Sequence, residues 1–512
     1  MGVSPPDVVV VGSGPGGSTL AYGLARQGAR VVVVEQGSFL GPEPSRADEP
    51  SVYIGDVMQR ARHWVGGPSK FYGAALYRLR ETDFQATTTE GGVSPAWPMR
   101  YSDLEPFYCD AERLYGVRGS VADDPSEPPH SQGYAHGPIE HEPDIQPIVD
   151  RIRARGVSVS YIPKAIDYGP GGRCVLCSGC DGYYCQLDAK WDAETAALRP
   201  ALATGLVEVL TGTECLGVLT TPDGRCARGV RLRRDGEEFI LDAQMVAVCA
   251  GHLQTPMVLR RSRAPAHPEG IGNASGSLGR YLAGHSAGLL FAMRGVRRMP
   301  KLHQKTFAIN EFYASSPGWP FPTGVIQAAG QLPIWTLMPR GIAPVVQAMA
   351  ERSLTCFLMA EAVPRRDAGL RFDGDRLSRV VDPQHNTETY ARLRRLASGI
   401  LKDAGFRVVL GRRRPGALWH PVGTARMGQD PATSVVDPTC RVHGMENLYV
   451  VDSSVLPSAG AVNTTLTVIA LALKVAAEVA GRGRPADPAL GAEPTVATRS
   501  GGRAAWPDPH SA

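Results

Sequence analysis

Three glycines near the start of the sequence have the spacing of a turn that binds phosphate groups. Gly12, Gly14 and Gly17 fit the pattern G-x-G-x-x-G, with Ser13 inside it, after four valines and before a helix-like segment. In such a turn the first glycine allows a tight bend, the second lets a pyrophosphate approach the backbone, and the third lets the helix pack on the strand. The free N–H groups at the helix start then favour an anion. The pattern predicts a dinucleotide-binding turn.

A carboxylate follows the second run of valines and supports the same site. Glu35 comes directly after residues 31–34, which are all valine. At the end of a second strand, a carboxylate can accept hydrogen bonds from a ribose hydroxyl. Because an acid at this position disfavours a 2′-phosphate, NADP is the least expected dinucleotide. The glycine pattern by itself does not separate FAD from NAD.

Four cysteines form a dense group in the middle of the chain. Cys174, Cys177, Cys180 and Cys185 have a spacing close to that of an iron–sulfur run, and zinc is the other metal such a group could hold. The last gap is one residue too long for the ferredoxin pattern, however, and no proline follows. We therefore expect structural thiols or a local disulfide, and no metal.

The elements that position these residues are those of an α/β protein. Continuous valine runs at 8–11 and 31–34 are typical of parallel strands that are covered on both faces, so a doubly wound Rossmann-type domain begins here. Further strands are predicted at 206–210, 229–233, 239–243, 245–250, 354–361, 370–373 and 448–451. Helices are predicted at 18–27, 104–114, 387–404 and 465–480.

Composition excludes several classes of protein. Lysine and arginine total 54 against 50 aspartate and glutamate, and the charge is spread along the chain, so nucleic acid is not expected as a partner. No run of about eighteen apolar residues occurs, so we expect no membrane span. The first residues lack the basic segment of a secretion signal. We expect a cytoplasmic enzyme whose ten cysteines are mostly free thiols.

Segments far from the glycine turn carry a family resemblance. Together with that turn, two C-terminal segments resemble the glucose–methanol–choline (GMC) oxidoreductases: WHPVGTARMG at 419–428, and NLYVVDSSVLP at 447–457 running on to NTTLT at 463–467. Similar motifs of that family occur as GGPS at 66–69, WP at 97–98 and CAGHLQTP at 249–256. The likeness extends from residue 8 to about residue 475.

The resemblance implies FAD as the cofactor and assigns residues to it. Gly66, Gly67 and Ser69 correspond to the loop that embraces the flavin, and Ala250 and Gly251 belong to a second signature. Asp452, with Ser453 after it, corresponds to the residue that meets the ribityl or pyrophosphate region, and its alternative role is a helix or turn cap. Some relatives attach the flavin through a histidine, but Lys70 and Phe71 occupy the comparable stretch here. We therefore expect non-covalent FAD.

The same resemblance implies the chemistry. His420 and Asn463 match the family's catalytic pair: His420 is expected to take the hydroxyl proton of an alcohol while hydride passes to flavin N5, and Asn463 is expected to hold the substrate oxygen. The product would be an aldehyde or ketone. A looser likeness, to members that oxidise sugar hydroxyls in aminoglycoside antibiotic biosynthesis, suggests a sugar, aminocyclitol or aminoglycoside substrate.

Several questions stay open at this stage. Oxygen, a quinone or a protein partner could reoxidise the flavin. An iron–sulfur cluster at Cys174–Cys185 would indicate a dehydrogenase that passes its electrons to a quinone or protein partner. The alternatives are an NAD-linked dehydrogenase, an electron-transfer subunit and a flavin-binding scaffold without turnover.

The predicted domain organisation begins with an FAD domain over 1–285, which includes the loop-rich segment 41–170 and the cysteine-rich segment 171–190. We expect a sheet-based substrate domain over 286–411 next. The chain is then expected to return to the FAD domain over 412–482 and to end in a disordered tail over 483–512.

Overall fold

The computed structural model describes residues 5–40, 63–177, 179–295, 299, 305–330, 332, 341–374, 376–381 and 386–481. At its centre is a five-stranded parallel sheet, with neighbouring strands in the order Leu448–Val450, Met245–Val248, Val8–Val11, Val31–Val34 and Val207–Leu210. The valine strands are buried almost throughout, as expected for strands covered on both faces. This sheet brings the start, middle and end of the sequence side by side.

Helices cover the parallel sheet. The helix Pro15–Ala25 follows the glycine turn and packs on Thr465–Gly481, where Gly23 leaves room for Ala476. The helix Tyr101–Leu114 packs on the same C-terminal helix, and the hydroxyls of Tyr108 and Thr467 lie 2.7 Å apart. None of the helices in the described part of the chain has the length and apolarity to cross a membrane.

A six-stranded antiparallel sheet forms the second large element. Its strands run in the order Val408–Val422, Ala283–Met293, Ser353–Ala362, Val325–Ala329, Phe307–Ile309 and Ser160–Tyr161. The helices Thr387–Asp403 and Gln146–Arg153 complete a separate apolar core on this sheet. The sheet therefore draws on a short segment from the region predicted to be loop-rich as well as on later strands.

Smaller elements complete the described fold. A three-stranded antiparallel sheet has the order Glu237–Asp242, Ala227–Arg234 and Thr213–Thr220. Two-stranded ribbons pair Gly369–Asp373 with Arg376–Val380, Thr87–Thr89 with Gly92–Ser94, and Val117–Arg118 with Lys164–Ala165. The remaining helices are Arg199–Ala203, Gly251–Arg261 and Ala343–Ala350, with short helical turns at Gly67–Phe71, Glu81–Phe84, Glu194–Leu198 and Ser453–Val455.

The α/β fold class predicted from the sequence is confirmed, and the strands predicted between 206 and 250 divide between two sheets. Those at 207–210 and 245–248 join the parallel sheet, whereas those at 227–234 and 237–242 form the separate three-stranded sheet. The strands Ala283–Met293 and Val408–Val422 span the domain boundaries predicted after residues 285 and 411, so each boundary lies inside a strand. The division into domains stays a prediction. Residues 41–62 of the loop-rich segment, and the tail 483–512, lie outside the described residues.

Candidate active site

The glycine turn has the geometry that a pyrophosphate needs. Gly12 adopts a left-handed conformation with φ of +99°, and Gly17 lies against the Gly12 carbonyl, so that a side chain at residue 17 would collide with it. Gly14 precedes the helix Pro15–Ala25, and no side chain within the described ranges caps its first turn. The amides of Gly16 and Gly17 therefore lack helical partners. The helix presents free N–H groups where an anion would bind.

Ser13 connects the turn to two other predicted cofactor segments. The Glu35 carboxylate accepts hydrogen bonds from the Ser13 backbone N–H at 3.1 Å and from its hydroxyl at 2.6 Å. Its second oxygen accepts from the Gly37 N–H at 2.8 Å. The Ser13 hydroxyl oxygen in turn accepts from the Gly66 N–H at 3.1 Å. Glu35 thus orders the turn, and its role toward a ribose hydroxyl stays a prediction.

The segment 66–71 folds over the glycine turn. A Cβ atom at Gly67 would lie 3.3 Å from the Cα of Gly14, so the two backbones are in close contact. The Ser69 hydroxyl donates to the Gly66 carbonyl at 2.6 Å and accepts from the Ala193 N–H at 3.0 Å. Lys70 is fully buried and forms ion pairs with Asp192 and Glu194. Its amine is held within the protein by these carboxylates.

Asp452 joins the two later signatures. Its carboxylate accepts hydrogen bonds from the Gly251 N–H at 2.9 Å and the Thr255 hydroxyl at 2.6 Å. It also accepts from the Ser454 N–H at 2.7 Å and so caps the turn Ser453–Val455. Ala250 directly precedes the helix that begins at Gly251. The structure therefore places Asp452 in the capping role weighed above, and its direct contact with the cofactor stays a prediction.

The residues at the carboxyl end of the parallel sheet fit FAD. A Cβ atom added at Gly14 or at Gly251 would meet nothing within 4 Å, so both backbones border open space. The two open glycines follow the neighbouring strands Val8–Val11 and Met245–Val248. A crevice at the carboxyl ends of parallel strands, with a helix N-terminus directed into it, is where a dinucleotide binds in doubly wound folds.

The structure brings His420 and Asn463 together. His420 lies in the strand Val408–Val422, and the Asn463 side-chain amide lies 3.2 Å from its Nε2 atom. Residues 420 and 421 together oppose only Gly284 in the neighbouring strand, which makes a β-bulge. His420 accordingly has φ of +48°. The bulge turns its side chain out of the regular alternation of the strand and toward Asn463.

Two polar residues beside this pair were missed from the sequence. The Nδ1 atom of His285 lies 2.9 Å from the Nδ1 atom of His420, and the Gln327 amide donates to the Asn463 side-chain oxygen at 3.1 Å. Both residues are fully buried in strands of the six-stranded sheet. A lone histidine and a lone glutamine in apolar strands belong to no motif, so the sequence carried no signal for either.

The surroundings keep both imidazoles neutral. Burial lowers the pKa of His420 well below its usual value, and a charged His285 and the Lys305 cation act in the same direction. Burial also lowers the pKa of His285, to about 4. Lys305 forms a buried ion pair with Asp181 at 2.8 Å, and the Asp181 charge acts on His420 in the opposite direction to Lys305. At neutral pH His420 can therefore accept a proton.

The four cysteines of the cysteine-rich segment form no disulfide among the described residues. Cys174, Cys177, Cys180 and Cys185 are free thiols, and no group of three or more histidine, cysteine, aspartate or glutamate side chains among the described residues could hold a metal ion. Lys190 holds the segment in place, because its buried amine donates hydrogen bonds to the carbonyls of Tyr72, Cys180 and Tyr183.

Comparisons with known proteins point to one family. The family model described as GMC oxidoreductase matches in its N-terminal part over residues 51–287 and in its C-terminal part over 395–472, and a model for FAD-dependent oxidoreductases matches 7–69. The chain is 31% identical to 6'''-hydroxyparomomycin C oxidase of Streptomyces lividus, over 93% of this chain and 91% of that one. It is 30% identical to paromamine 6'-oxidase of Streptomyces fradiae, with the same coverage.

Solved structures show the same fold at lower identity. Pyridoxine 4-oxidase from Mesorbium loti aligns with a TM-score of 0.61 at 19% identity, over 92% of this chain and 99% of that chain. Formate oxidase of Aspergillus oryzae aligns with a TM-score of 0.64 at 15% identity, over 93% of this chain and 98% of that chain. With relatives at 30% and 31% identity over almost its whole length, this chain belongs to the GMC oxidoreductases, and it is an FAD-dependent enzyme that oxidises alcohols.

Proposed function

We propose that the enzyme oxidises a hydroxyl group of a sugar, aminocyclitol or aminoglycoside to an aldehyde or ketone, with His420 as the base and Asn463 as the residue that holds the substrate oxygen. The observation that carries this proposal is the pairing of His420 Nε2 with the Asn463 amide at 3.2 Å, at a bulge in the strand Val408–Val422. A substrate hydroxyl that replaced this contact would meet both groups at once.

The two residues divide the work on the hydroxyl group. A neutral imidazole takes the hydroxyl proton, and the amide N–H of Asn463 donates a hydrogen bond to the oxygen that becomes the carbonyl. When bound, FAD supplies the acceptor for the hydride that leaves the carbon, at its N5 atom. Gln327 takes no part in the proton transfer. Its amide donates a hydrogen bond to the side-chain oxygen of Asn463 and so orients that residue.

The substrate class rests on the relatives and on the polarity of the site. The two relatives above are named as oxidases of 6'''-hydroxyparomomycin C and of paromamine. Polar groups of this chain near His420 include Asn463, Gln327 and the Asp181–Lys305 pair. Such side chains suit a substrate with several hydroxyl or amino groups better than a purely apolar alcohol. We propose in addition that the FAD is non-covalent, since Lys70 and Phe71 stand where some relatives have a histidine.

Anaerobic flavin reduction tests the proposal. The purified holoenzyme is mixed without oxygen with paromamine, with fructose and with 2-methyl-1,2-propanediol, the last two taken from more distant relatives. We expect paromamine to bleach the yellow oxidised flavin fastest. Admission of oxygen then identifies the acceptor: rapid recovery of colour with hydrogen peroxide indicates an oxidase, and slow recovery indicates a quinone or protein acceptor.

Variants at His420 and Asn463 test the assignment of the base independently of the substrate class. His420→Ala is expected to lower the reduction rate by a factor of about 10² to 10⁴, the range of general-base catalysis, with its FAD retained. Asn463→Asp keeps the size of the side chain but removes the amide donor. A His420→Ala variant that reduces its flavin at the original rate would overturn the assignment of the base. Failure of both paromamine and fructose, with rapid reduction by 2-methyl-1,2-propanediol, would overturn the substrate class alone.

A further inference from the structure

We propose that His285 is a positioning residue that holds His420 in the tautomer with its proton on Nδ1, so that Nε2 is free to accept the proton of the substrate. This inference rests on the proposed function, in which His420 is the base. It assigns a role to a residue that no motif of the sequence contains.

The imidazole rings of His285 and His420 form a hydrogen bond in which only one of the two Nδ1 atoms carries a proton. The two Nδ1 atoms are 2.9 Å apart, and the rings meet edge to face with their centres 5.1 Å apart. In a neutral histidine one ring nitrogen donates and the other accepts. Because both rings are buried and neutral, one Nδ1 carries the proton and the other accepts it. The geometry of the contact alone allows either direction.

The backbone beyond His285 decides the direction. The Nε2 atom of His285 lies 3.4 Å from the carbonyl oxygen of Ala459, which can only accept. A neutral His285 with its proton on Nε2 donates to this carbonyl, and its Nδ1 is then the acceptor toward His420. The opposite tautomer would set a lone pair against the Ala459 oxygen, deep in the protein. His420 therefore donates from Nδ1 and keeps a lone pair on Nε2.

The hydrogen bonds of Asn463 and Gln327, on the Nε2 side of His420, agree with a proton on Nδ1 of His420 but do not determine it. The Asn463 amide donates to His420 Nε2, and its oxygen accepts from Gln327. If both amides were rotated by half a turn, these bonds would run the other way. A backbone carbonyl has no such freedom. The fixed acceptor at Ala459 therefore orders the whole chain, from His285 through His420 to Asn463.

The same contact stabilises the product of proton transfer. When His420 takes a proton on Nε2, its Nδ1–H becomes a donor on a cation, and the bond to the neutral His285 strengthens. An oriented acceptor behind a catalytic imidazole acts in this way in serine proteases, where it fixes the tautomer and stabilises the imidazolium. The charged groups that face the two rings are Lys305 and Asp181, with Glu361 opposite His285 in the adjacent strand.

Two substitutions at residue 285 test the role. In His285→Leu the acceptor is lost, whereas in His285→Asn the side-chain oxygen stands where Nδ1 was. With paromamine and the holoenzyme, we expect His285→Leu to reduce flavin about 10- to 100-fold more slowly, within the contribution of a general base. His285→Asn should recover most of the rate, with unchanged FAD content.

The outcomes separate this inference from the proposed function. If His420→Ala is inactive but His285→Leu reduces flavin at the original rate, the role of His285 is wrong and the base assignment stands. If His285→Asn, folded and loaded with FAD, is as slow as His285→Leu, the acceptor role is wrong. A direct readout needs no variant at 285: nitrogen NMR of histidine-labelled holoenzyme, with the His420 signals identified by their absence in His420→Ala. We expect a protonated Nδ1, and a protonated Nε2 would overturn the inference.

Discussion

Replacing Gly14 by alanine should weaken FAD binding and leave the fold intact. Gly14 has φ of −66° and ψ of −174°, a conformation open to any residue, and its added Cβ would meet no atom of the chain within 4 Å. Alanine lowers the entropy of the unfolded chain, which stabilises by about 0.4–1 kcal/mol. Alanine is also less favourable than glycine at the position that precedes a helix, and this costs a similar amount of stability. The two effects offset, so the stability of the apoprotein should change by less than about 1 kcal/mol.

The effect on the cofactor should be much larger than that on the fold. The open space at Gly14 lies where the pyrophosphate would approach the free amides of Gly16 and Gly17. A methyl group there keeps the phosphate from at least one of these charge-assisted hydrogen bonds, each of which contributes about 1.5–3 kcal/mol. Since about 1.4 kcal/mol is tenfold in affinity, the dissociation constant of FAD should rise by at least about tenfold.

Gly17→Ala is the matched control. Its Cβ would collide with the Gly12 carbonyl and lie 3.1 Å from Val10 Cγ1, so the apoprotein itself should lose about 1–3 kcal/mol through overpacking. Urea unfolding of the two apoproteins and titration with FAD, followed by quenching of flavin fluorescence, measure both quantities. Gly14→Ala binding FAD as tightly as the original protein, or unfolding as readily as Gly17→Ala, would refute the assignment of the turn.

Two further predictions concern buried charges. Lys305→Met leaves the Asp181 carboxylate buried without its partner, so the variant should lose about 3–5 kcal/mol of stability at neutral pH. Adding Asp181→Leu in the same chain should restore most of this loss. Chemical unfolding of the original protein and the two variants measures these changes, and equal losses in the single and double variants would contradict the prediction. Burial, with the nearby Asp83 charge, raises the pKa of Glu361 to about 7 from 4.5. Its contribution to stability is therefore present below about pH 4.5 and lost as the pH rises through about 7. Relative to Glu361→Gln, the original protein should be less stable at pH 8 than at pH 5, and a pH-independent difference would show that Glu361 is not the titrating group.

The sequence by itself identified the parts of the site whose information is local. Glycines at fixed spacing between a valine strand and a helix specify a turn through sterics alone, because only glycine fits where Gly12 and Gly17 lie. The placement of His420 and Asn463 near each other followed from a resemblance in two nearby segments, and they do meet in the structure. Strands with continuous valine runs were also predicted, since their pattern needs no knowledge of the neighbouring strand.

Other parts were decided only by long-range pairing. His285 precedes His420 by 135 residues, and the two meet because the strand Ala283–Met293 pairs antiparallel with Val408–Val422. The bulge opposite Gly284, which aims His420, depends on the register of that pair. Gln327 comes to Asn463 from a third strand of the same sheet. A residue's own neighbours in the sequence determine the strand it occupies, but which side chains face it is set by strand order and register, and these are fixed only when distant segments pack together.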